Sequence, residues 1–258
     1  MLLAIDIGNT NIVAGVFKDG ELKRHWRVST DKRRTSDEYG IILSGLFASA
    51  GLKRADLKGS IVCSVVPPLN GVFKEALGGY LGVDPLIVGT DIMAPIKVLT
   101  DNPEEVGTDR LVNAVAAYSQ YRKALIVVDF GTAVTFDYIT GKGEYSGGAI
   151  APGVEISAEA LFKGTAKLPR IEVGKPSRAI GRNTVDAMRS GLFFGFIGLV
   201  DGVIERMKKE AGGDPEVIAT GGLSGVVIGE SRYISKADEF LTLKGLKIIY
   251  EGEPADGI

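Results

Sequence analysis

The feature that most limits what this chain can fold into is a segment written twice. Ala4 to Phe17 reads AIDIGNTNIVAGVF and Val127 to Ile139 reads VVDFGTAVTFDYI, each an apolar strand, then Asp-x-Gly, a small polar residue and a second apolar strand. Asp6 and Asp129, Gly8 and Gly131, Gly20 and Gly143, and Glu21 and Glu144 are each 123 positions apart, with no gap between the copies. Period-two apolar runs separated by glycine turns predict a three-stranded meander in each copy, both in one register. A duplicated meander predicts two related domains, and 258 residues are enough for each to bury a core.

After the first meander, Ser36 can cap a helix whose apolar stripe is Tyr39, Ile42, Leu43, Leu46 and Phe47. The run SIVCSVVPP reads as a strand stopped by Pro67 and Pro68, followed by a helix around Gly71 to Tyr80. In the second half a helix from Thr108 to Tyr121 precedes a strand from Ala124 to Phe130, and Pro152-Gly153 leads into a helix ending at Phe162. The helix from Thr184 to about Glu210 carries Gly191, Gly195, Gly198 and Gly202 on one face. Each helix-interior glycine costs about 0.5–1 kcal/mol relative to alanine, so the stripe implies close packing, within the chain or between subunits. A meander followed by alternating helices and strands predicts α/β architecture, a mixed central sheet flanked by helices in each domain. The boundary is expected between Ala94 and Pro103, giving domains 1–101 and 102–258, and the tail EGEPADGI is expected to fray.

Composition narrows the partners. The balance of 30 Lys+Arg against 32 Asp+Glu supplies no global positive field, which argues against nucleic acid and membrane surfaces and for a small molecule. The apolar stretch Gly191 to Ile204 is interrupted by Asp201 and falls short of the ~20 residues of a membrane span, so it reads as a core helix. The N-terminus enters a strand at once, without the pattern of a signal peptide, and the mature protein is expected to start at or near Met1. The single cysteine, Cys63, excludes a disulfide framework, favours a reducing cytoplasm, and reads as a buried small hydrophobe. One histidine, His25, and one cysteine cannot assemble a His/Cys zinc site, so any metal must be held by oxygen.

A glycine turn between strands points backbone N–H groups outward and makes a concavity suited to phosphate oxygens. Asp6 and Asp129 stand at the strand ends just before these turns. A carboxylate beside a polyphosphate repels it unless a cation lies between them, so one such turn in each half suits a nucleotide polyphosphate with Mg²⁺. Taken singly, Asp-x-Gly is common hairpin chemistry; the duplicated context is what gives it weight. There is no Walker-type phosphate loop, and Gly141 to Gly143 lacks the third glycine of a dinucleotide fingerprint. A third element, IATGGLSG from Ile218 to Gly225, is a strand opening into Thr-Gly-Gly, able to lie against a purine or ribose or to be an ordinary glycine-rich turn.

Strand-DIGNTN, strand-DFGTAVT and strand-TGG, in that order, resemble the phosphate-1, phosphate-2 and adenosine motifs of the actin, Hsp70 and sugar-kinase superfamily. Together with EVGTDR, GGAIAPG, LFKGTAKLP and GRNTVDAMRSG, running from Asp6 to Gly222 in all, they resemble the type III pantothenate kinase family. The resemblance implies two ribonuclease H-like domains and an enzyme that moves the ATP γ-phosphate to the primary hydroxyl of pantothenate, the first step towards coenzyme A. It implies ATP, Mg²⁺, a monovalent cation (K⁺ or NH4⁺) and a homodimer whose substrate site is completed near the subunit interface.

By the same resemblance, Asp6, Ile7, Gly8, Asn9, Thr10, Asn11, Ile12 and Val13 form the ATP phosphate loop, with Asp6 nearest Mg²⁺. Thr132 contacts ATP, Asp129 marks the monovalent-cation site, and Gly221 and Gly222 belong to the adenosine motif. Which of the two Asp residues touches which ion is not readable from spacing. Asp109 matches the general base, although alone it is equally a helix-start Asp favoured by the helix dipole. Gly107, Thr108, Asp109, Arg110 and Thr184 match substrate positions, Arg110 offering a planar fork for the pantothenate carboxylate; Thr184 alone could be a helix cap. Thr100 stands where some members carry an aromatic residue that touches substrate. Two other readings remain: another small-molecule kinase of the superfamily, or a non-catalytic ATP-binding regulatory protein.

Overall fold

The computed structural model describes residues 1–222 and 224–252; of the tail 251–258 expected to fray, Glu251 instead ends the last helix, and residues 253–258 lie outside the described ones. Contacts divide the chain into two compact units. Unit 1 takes Met1–Lys97, Asp101–Gln120 and the segment from Leu241 onward; unit 2 takes Val98–Thr100 and Tyr121–Phe240. The division is interleaved, where the sequence suggested a single boundary at 101/102.

In unit 1 the strands β1 (Leu2–Ile7), β2 (Asn11–Lys18) and β3 (Glu21–Ser29) form the expected meander. The helix α1 (Ser36–Ser49) leads to β4 (Gly59–Ser64), and α2 (Pro68–Ala76) leads to β5 (Pro85–Ile87), in the sheet order β3-β2-β1-β4-β5. The helix α3 (Thr108–Tyr121) starts where the sequence placed it. In unit 2, β6 (Leu125–Phe130), β7 (Ala133–Ile139) and β8 (Tyr145–Pro152) repeat the meander, followed by α4 (Val154–Gly164) and α5 (Thr184–Ala211). Then come β9 (Glu216–Gly221), α6 (Ser224–Val227) and β10 (Lys236–Ala237), giving the order β10-β9-β6-β7-β8. Read from the other edge this is the same sheet as in unit 1, with the first meander strand paired in parallel to the fourth strand in each. The last helix, α7 (Leu241–Glu251), covers β1 and β4 of unit 1 and crosses α3 so closely that a side chain on Gly245 would strike the Val112 carbonyl.

The local chemistry accounts for the element ends. The cap of α1 is Thr35, not Ser36. The Thr35 hydroxyl accepts the Glu38 amide at 3.3 Å while the Glu38 carboxylate accepts the Thr35 amide at 2.8 Å, a reciprocal box that needs Glu three residues after the cap. The helix α2 begins at Pro68, three residues before its expected start, because proline's fixed φ and missing N–H suit the first helical position. It then widens over Leu77–Leu81 and stops at Gly82, whose φ of +72° takes the left-handed conformation.

The two meanders do not share one register. Asp6 pairs with Val13, seven positions on, whereas Asp129 pairs with Thr135, six positions on. The second hairpin compensates: Phe17 pairs with Leu22, five positions on, and Ile139 with Tyr145, six positions on. Thus β7 is shifted by one residue against β2, and the unbroken spacing of 123 at both ends hides a shorter first turn and a longer second one. Turn length is tolerant of such changes, while strand faces are not, since a one-residue slip would exchange buried and exposed side chains.

Those faces place the chemistry. On β1, Leu3, Ile5 and Ile7 join the core under α1 and α2, with Tyr39, Leu43, Phe47, Leu69 and Phe73. Asp6 takes the opposite face by the period of two. In unit 2, Ile126, Val128 and Phe130 join Phe193, Ile197, Val200 and Ile204 of α5, and Asp129 takes the opposite face. The helix α5 is long and apolar enough to cross a membrane by length and composition, yet this stripe of it is packed on the sheet. Its buried Asp201 accepts the Ser231 hydroxyl at 2.6 Å and the Arg232 amide at 3.2 Å.

Beside Asp129 on the same face of unit 2 lies a fully buried carboxylate, Asp137, which accepts the Tyr145 hydroxyl at 2.7 Å and the Thr135 hydroxyl at 3.1 Å. A hydrogen bond to a charged group contributes about 1.5–3 kcal/mol. Tyr145→Phe is therefore expected to lower stability by about that amount, measurable as an earlier denaturant midpoint with an unchanged m-value.

Candidate functional site

In unit 1 the turn after Asp6 is held from behind. The Gly8 amide donates to the Asn11 carbonyl at 3.0 Å, the Thr30 hydroxyl donates to the Gly8 carbonyl at 2.7 Å, and the Thr30 amide donates to the Thr10 carbonyl at 2.9 Å. These bonds turn carbonyls of the loop towards the chain that follows β3, an arrangement that suits the loop's other rim to an anion. A Cβ on Gly8 would lie 3.0 Å from the Asn11 carbonyl, so the tight turn leaves little room for a larger residue. Asn9 and Thr10 are exposed, and Asp6, Gly8 and Asn11 are half-buried.

The start of α3 lies in the same unit. Asp6 is the lateral partner of Cys63 in the parallel β1–β4 ladder, so both side chains share the face opposite the α1–α2 core. The Cys63 thiol donates to the Thr108 hydroxyl at 3.2 Å, and the Thr108 hydroxyl donates to the Ser64 carbonyl at 3.3 Å. Burial pushes the Cys63 thiol well above its ordinary pKa; the Asp6 and Asp109 carboxylates push the same way, and the Thr108 hydrogen bond opposes them. The strand end beside Asp6 and the first turn of α3, which carries Asp109, are thereby brought together, although more than a hundred positions separate Asp6 from Asp109 in the sequence. One oxygen of Asp109 accepts the amide of Arg110 at 2.8 Å, and a side chain on Gly107 would come within 2.5 Å of it.

Unit 2 assembles a second group. Asp129 pairs with Thr135 and with Thr220, and the turn after it closes by the Gly131 amide donating to the Ala133 carbonyl at 3.1 Å. The Thr132 carbonyl accepts the Gly153 amide at 3.2 Å. A Cβ on Gly153 would strike that carbonyl and lie 2.8 Å from the Gly131 carbonyl, which explains a glycine before α4. The adenosine-motif residue Gly221 ends β9 at φ +86°, and a Cβ there would lie 2.6 Å from Asp129 Oδ1. The Asp129 carboxylate thus packs directly against Gly221, where no side chain fits. Gly222 follows it, exposed.

Thr184 is exposed at the first position of α5, and the cap is Asn183, whose side chain accepts the Asp186 amide at 2.8 Å. Thr100 lies in unit 2, where the Leu99 amide donates to the Tyr145 carbonyl at 2.8 Å and Thr100 Oγ1 is buried without a hydrogen-bond partner.

The donor set fits ions that arrive with their own ligands. Among the described residues no cluster of three or more His, Cys, Asp or Glu could hold a metal alone. Mg²⁺ needs no such cage when one or two carboxylates and nucleotide phosphates complete its shell, and Asp6 at its loop supplies a hard oxygen of that kind. The Asp129 carboxylate, packed against Gly221, offers the hard oxygen that a monovalent cation takes.

Cys63 and Ser64 were not legible as site residues. Cys63 carries no signal beyond a small apolar residue in a strand; its role comes from a partner 45 positions away.

The family model for type III pantothenate kinase matches residues 2–206. A type III pantothenate kinase from Geobacter sulfurreducens is 55% identical over 251 residues, covering 97% of this chain and 98% of the relative. Among solved structures, a putative Baf family transcriptional activator from Campylobacter jejuni superposes with a TM-score of 0.62 at 20% identity, covering 98% of each chain. A putative 2-dehydro-3-deoxygalactonokinase from Sinorhizobium meliloti gives 0.62 at 12% identity, covering 98% of this chain and 99% of the other. At such identities these likenesses speak for the fold, which is the duplicated ribonuclease H-like fold of the sugar kinases and actin.

Proposed function

The chain belongs to the type III pantothenate kinase family, and from that membership we propose how its own residues carry out ATP-dependent phosphorylation of pantothenate to 4'-phosphopantothenate, the first step of coenzyme A biosynthesis. Asp109 is the general base. The single observation that carries this assignment is that Cys63, the ladder partner of Asp6, donates to the hydroxyl of Thr108, the residue before Asp109, so that the Asp6 strand end and the start of α3 meet in one unit. Phosphoryl transfer asks a protein mainly for positioning and charge neutralisation, with a base at the attacking hydroxyl.

The loop Asp6 to Val13 receives ATP phosphate oxygens, Thr132 contacts ATP, and Gly221 and Gly222 serve the adenosine end. Gly107, Thr108, Arg110 and Thr184 receive pantothenate, Arg110 pairing its fork with the carboxylate. The Asp109 carboxylate accepts the proton of the alcohol as the bond to phosphorus forms. Asp6 would hold Mg²⁺ and Asp129 a potassium or ammonium ion, and such cations would supply neutralisation of the phosphoryl charge.

We also infer a homodimer through the outer face of α5. Gly191, Phe194, Gly195, Gly198 and Leu199 are exposed there, and a Cβ on Gly191, Gly195 or Gly198 would meet nothing within 4 Å. Close packing inside the described chain therefore does not account for the stripe, and a second subunit does.

ADP release, coupled to a colour reaction, tests the assignment. It is expected to depend on pantothenate and to fall when potassium is exchanged for sodium. Release driven by a hexose and indifferent to pantothenate would make the protein a different kinase of the superfamily, and no release with any acceptor would make it a nucleotide-binding regulator.

A further inference from the structure

Two elements of unit 1 converge on the Thr108 side chain. From the end of β4, the Cys63 thiol donates to its hydroxyl at 3.2 Å and the Ser64 carbonyl accepts the hydroxyl's own proton at 3.3 Å. From the loop after β5, Gly89 lies against its methyl group: a Cβ on Gly89 would come within 2.9 Å of Thr108 Cγ2, and the φ of +85° there is one that glycine adopts freely. The first residue of α3 is held on two sides.

A hydroxyl has one proton and two lone pairs. In Thr108 the proton and one lone pair are committed inward, so any part it has in lining the substrate pocket falls chiefly to its backbone. The commitment is made at an informative place. Cys63 is the ladder partner of Asp6, and Asp109 is the next residue of α3 after Thr108. Sulfur, hydroxyl and carbonyl therefore form a short bridge between the strand beside Asp6 and the helix turn that carries Asp109. The thiol is fully buried, which keeps water from competing for the bridge.

We propose that Cys63 and Thr108 are positioning residues for the transfer step: their thiol–hydroxyl–carbonyl relay fixes the first turn of α3, and with it the Asp109 carboxylate, at a set position against the strand end that carries Asp6. The proposal rests on the reading of Asp109 as the base. A base must sit within hydrogen-bond reach of the proton it takes, and a misplacement of 1 Å can cost on the order of a hundredfold in rate. A relay that only stabilised the fold would shift the unfolding midpoint and leave turnover at saturating substrate alone.

The experiment measures kcat, both KM values, ATP binding and thermal midpoint for the full-length chain carrying Cys63→Ala, Cys63→Ser, Thr108→Val, Thr108→Ser, the Cys63→Ala/Thr108→Val pair, or Asp109→Asn. Cys63→Ala and Thr108→Val are expected to lower kcat by on the order of 10- to 100-fold with ATP binding retained. The serine variants, which keep a donor at 63 and a hydroxyl at 108, recover most of that loss. The pair is expected to be no slower than the slower single variant, because both changes break the same relay. Unimpaired kcat in Cys63→Ala, or losses that multiply in the pair, overturns the proposal. Should Thr108→Val fail to fold, Cys63→Ala, the smaller perturbation, decides alone. An inactive Asp109→Asn beside an unimpaired Cys63→Ala removes the relay only; wild-type turnover in Asp109→Asn removes the base and the proposal with it.

Discussion

Asp109→Asn is expected to keep the fold and ATP binding while turnover falls by about 10²–10⁴-fold, the range that a positioned general base contributes. Asparagine has the shape of aspartate and retains an oxygen for the Arg110 amide, which Asp109 now accepts at 2.8 Å. It also occupies the same space beside Gly107, so the first turn of α3 has no steric reason to move. What it loses is the capacity to take a proton. The loss should therefore appear in kcat, with the thermal midpoint and nucleotide affinity close to those of the parent. A variant that turns over at the parent rate would remove Asp109 from the role.

Gly221→Ala is expected to damage both stability and the response to cations. The residue adopts φ +86°, where an L side chain costs about 1–2 kcal/mol, and its new methyl would lie 2.6 Å from Asp129 Oδ1 and 2.7 Å from the Phe130 carbonyl. The second neighbour is backbone of the last residue of β6, paired on both sides with β7 and β9, so overpacking adds about 1–3 kcal/mol. Together these predict a loss of about 2–5 kcal/mol, read as a lower midpoint in denaturant. Asp129, the other neighbour, must turn away, so stimulation by potassium over sodium should vanish in whatever fraction stays folded. Gly225→Ala is the control: it lies in α6 with nothing within 4 Å of a Cβ and is expected to behave as the parent. Equal midpoints and equal cation responses in the two variants would show that the space beside Asp129 is of no consequence.

Much of the fold follows from local rules. Glycine turns between period-two runs specify both meanders, the start of α3 falls at Thr108, and Pro67-Pro68 ends β4's extension and opens α2. The smaller errors are also local: Thr35 displaced Ser36 as a cap because only Thr35 has Glu at the third helical position. The one-residue shift between β2 and β7 escaped notice because two turn-length changes cancel. The assignment of α3 and α7 to unit 1 was not legible, since a helix's amphipathic pattern says that it covers a sheet and not which one.

By itself the sequence determined the duplication, the strand–turn–strand chemistry of Asp6 and Asp129, and the family, because each is carried by residues adjacent in the chain or by motifs in a fixed order. Only the tertiary structure decided that Cys63 meets Thr108, that Gly89 and Gly221 are glycines for want of space, and that the start of α3 comes to the strand beside Asp6. Those facts depend on which faces pack together over separations of many residues, and side-chain distances across a core are set by packing rather than by any pattern along the chain.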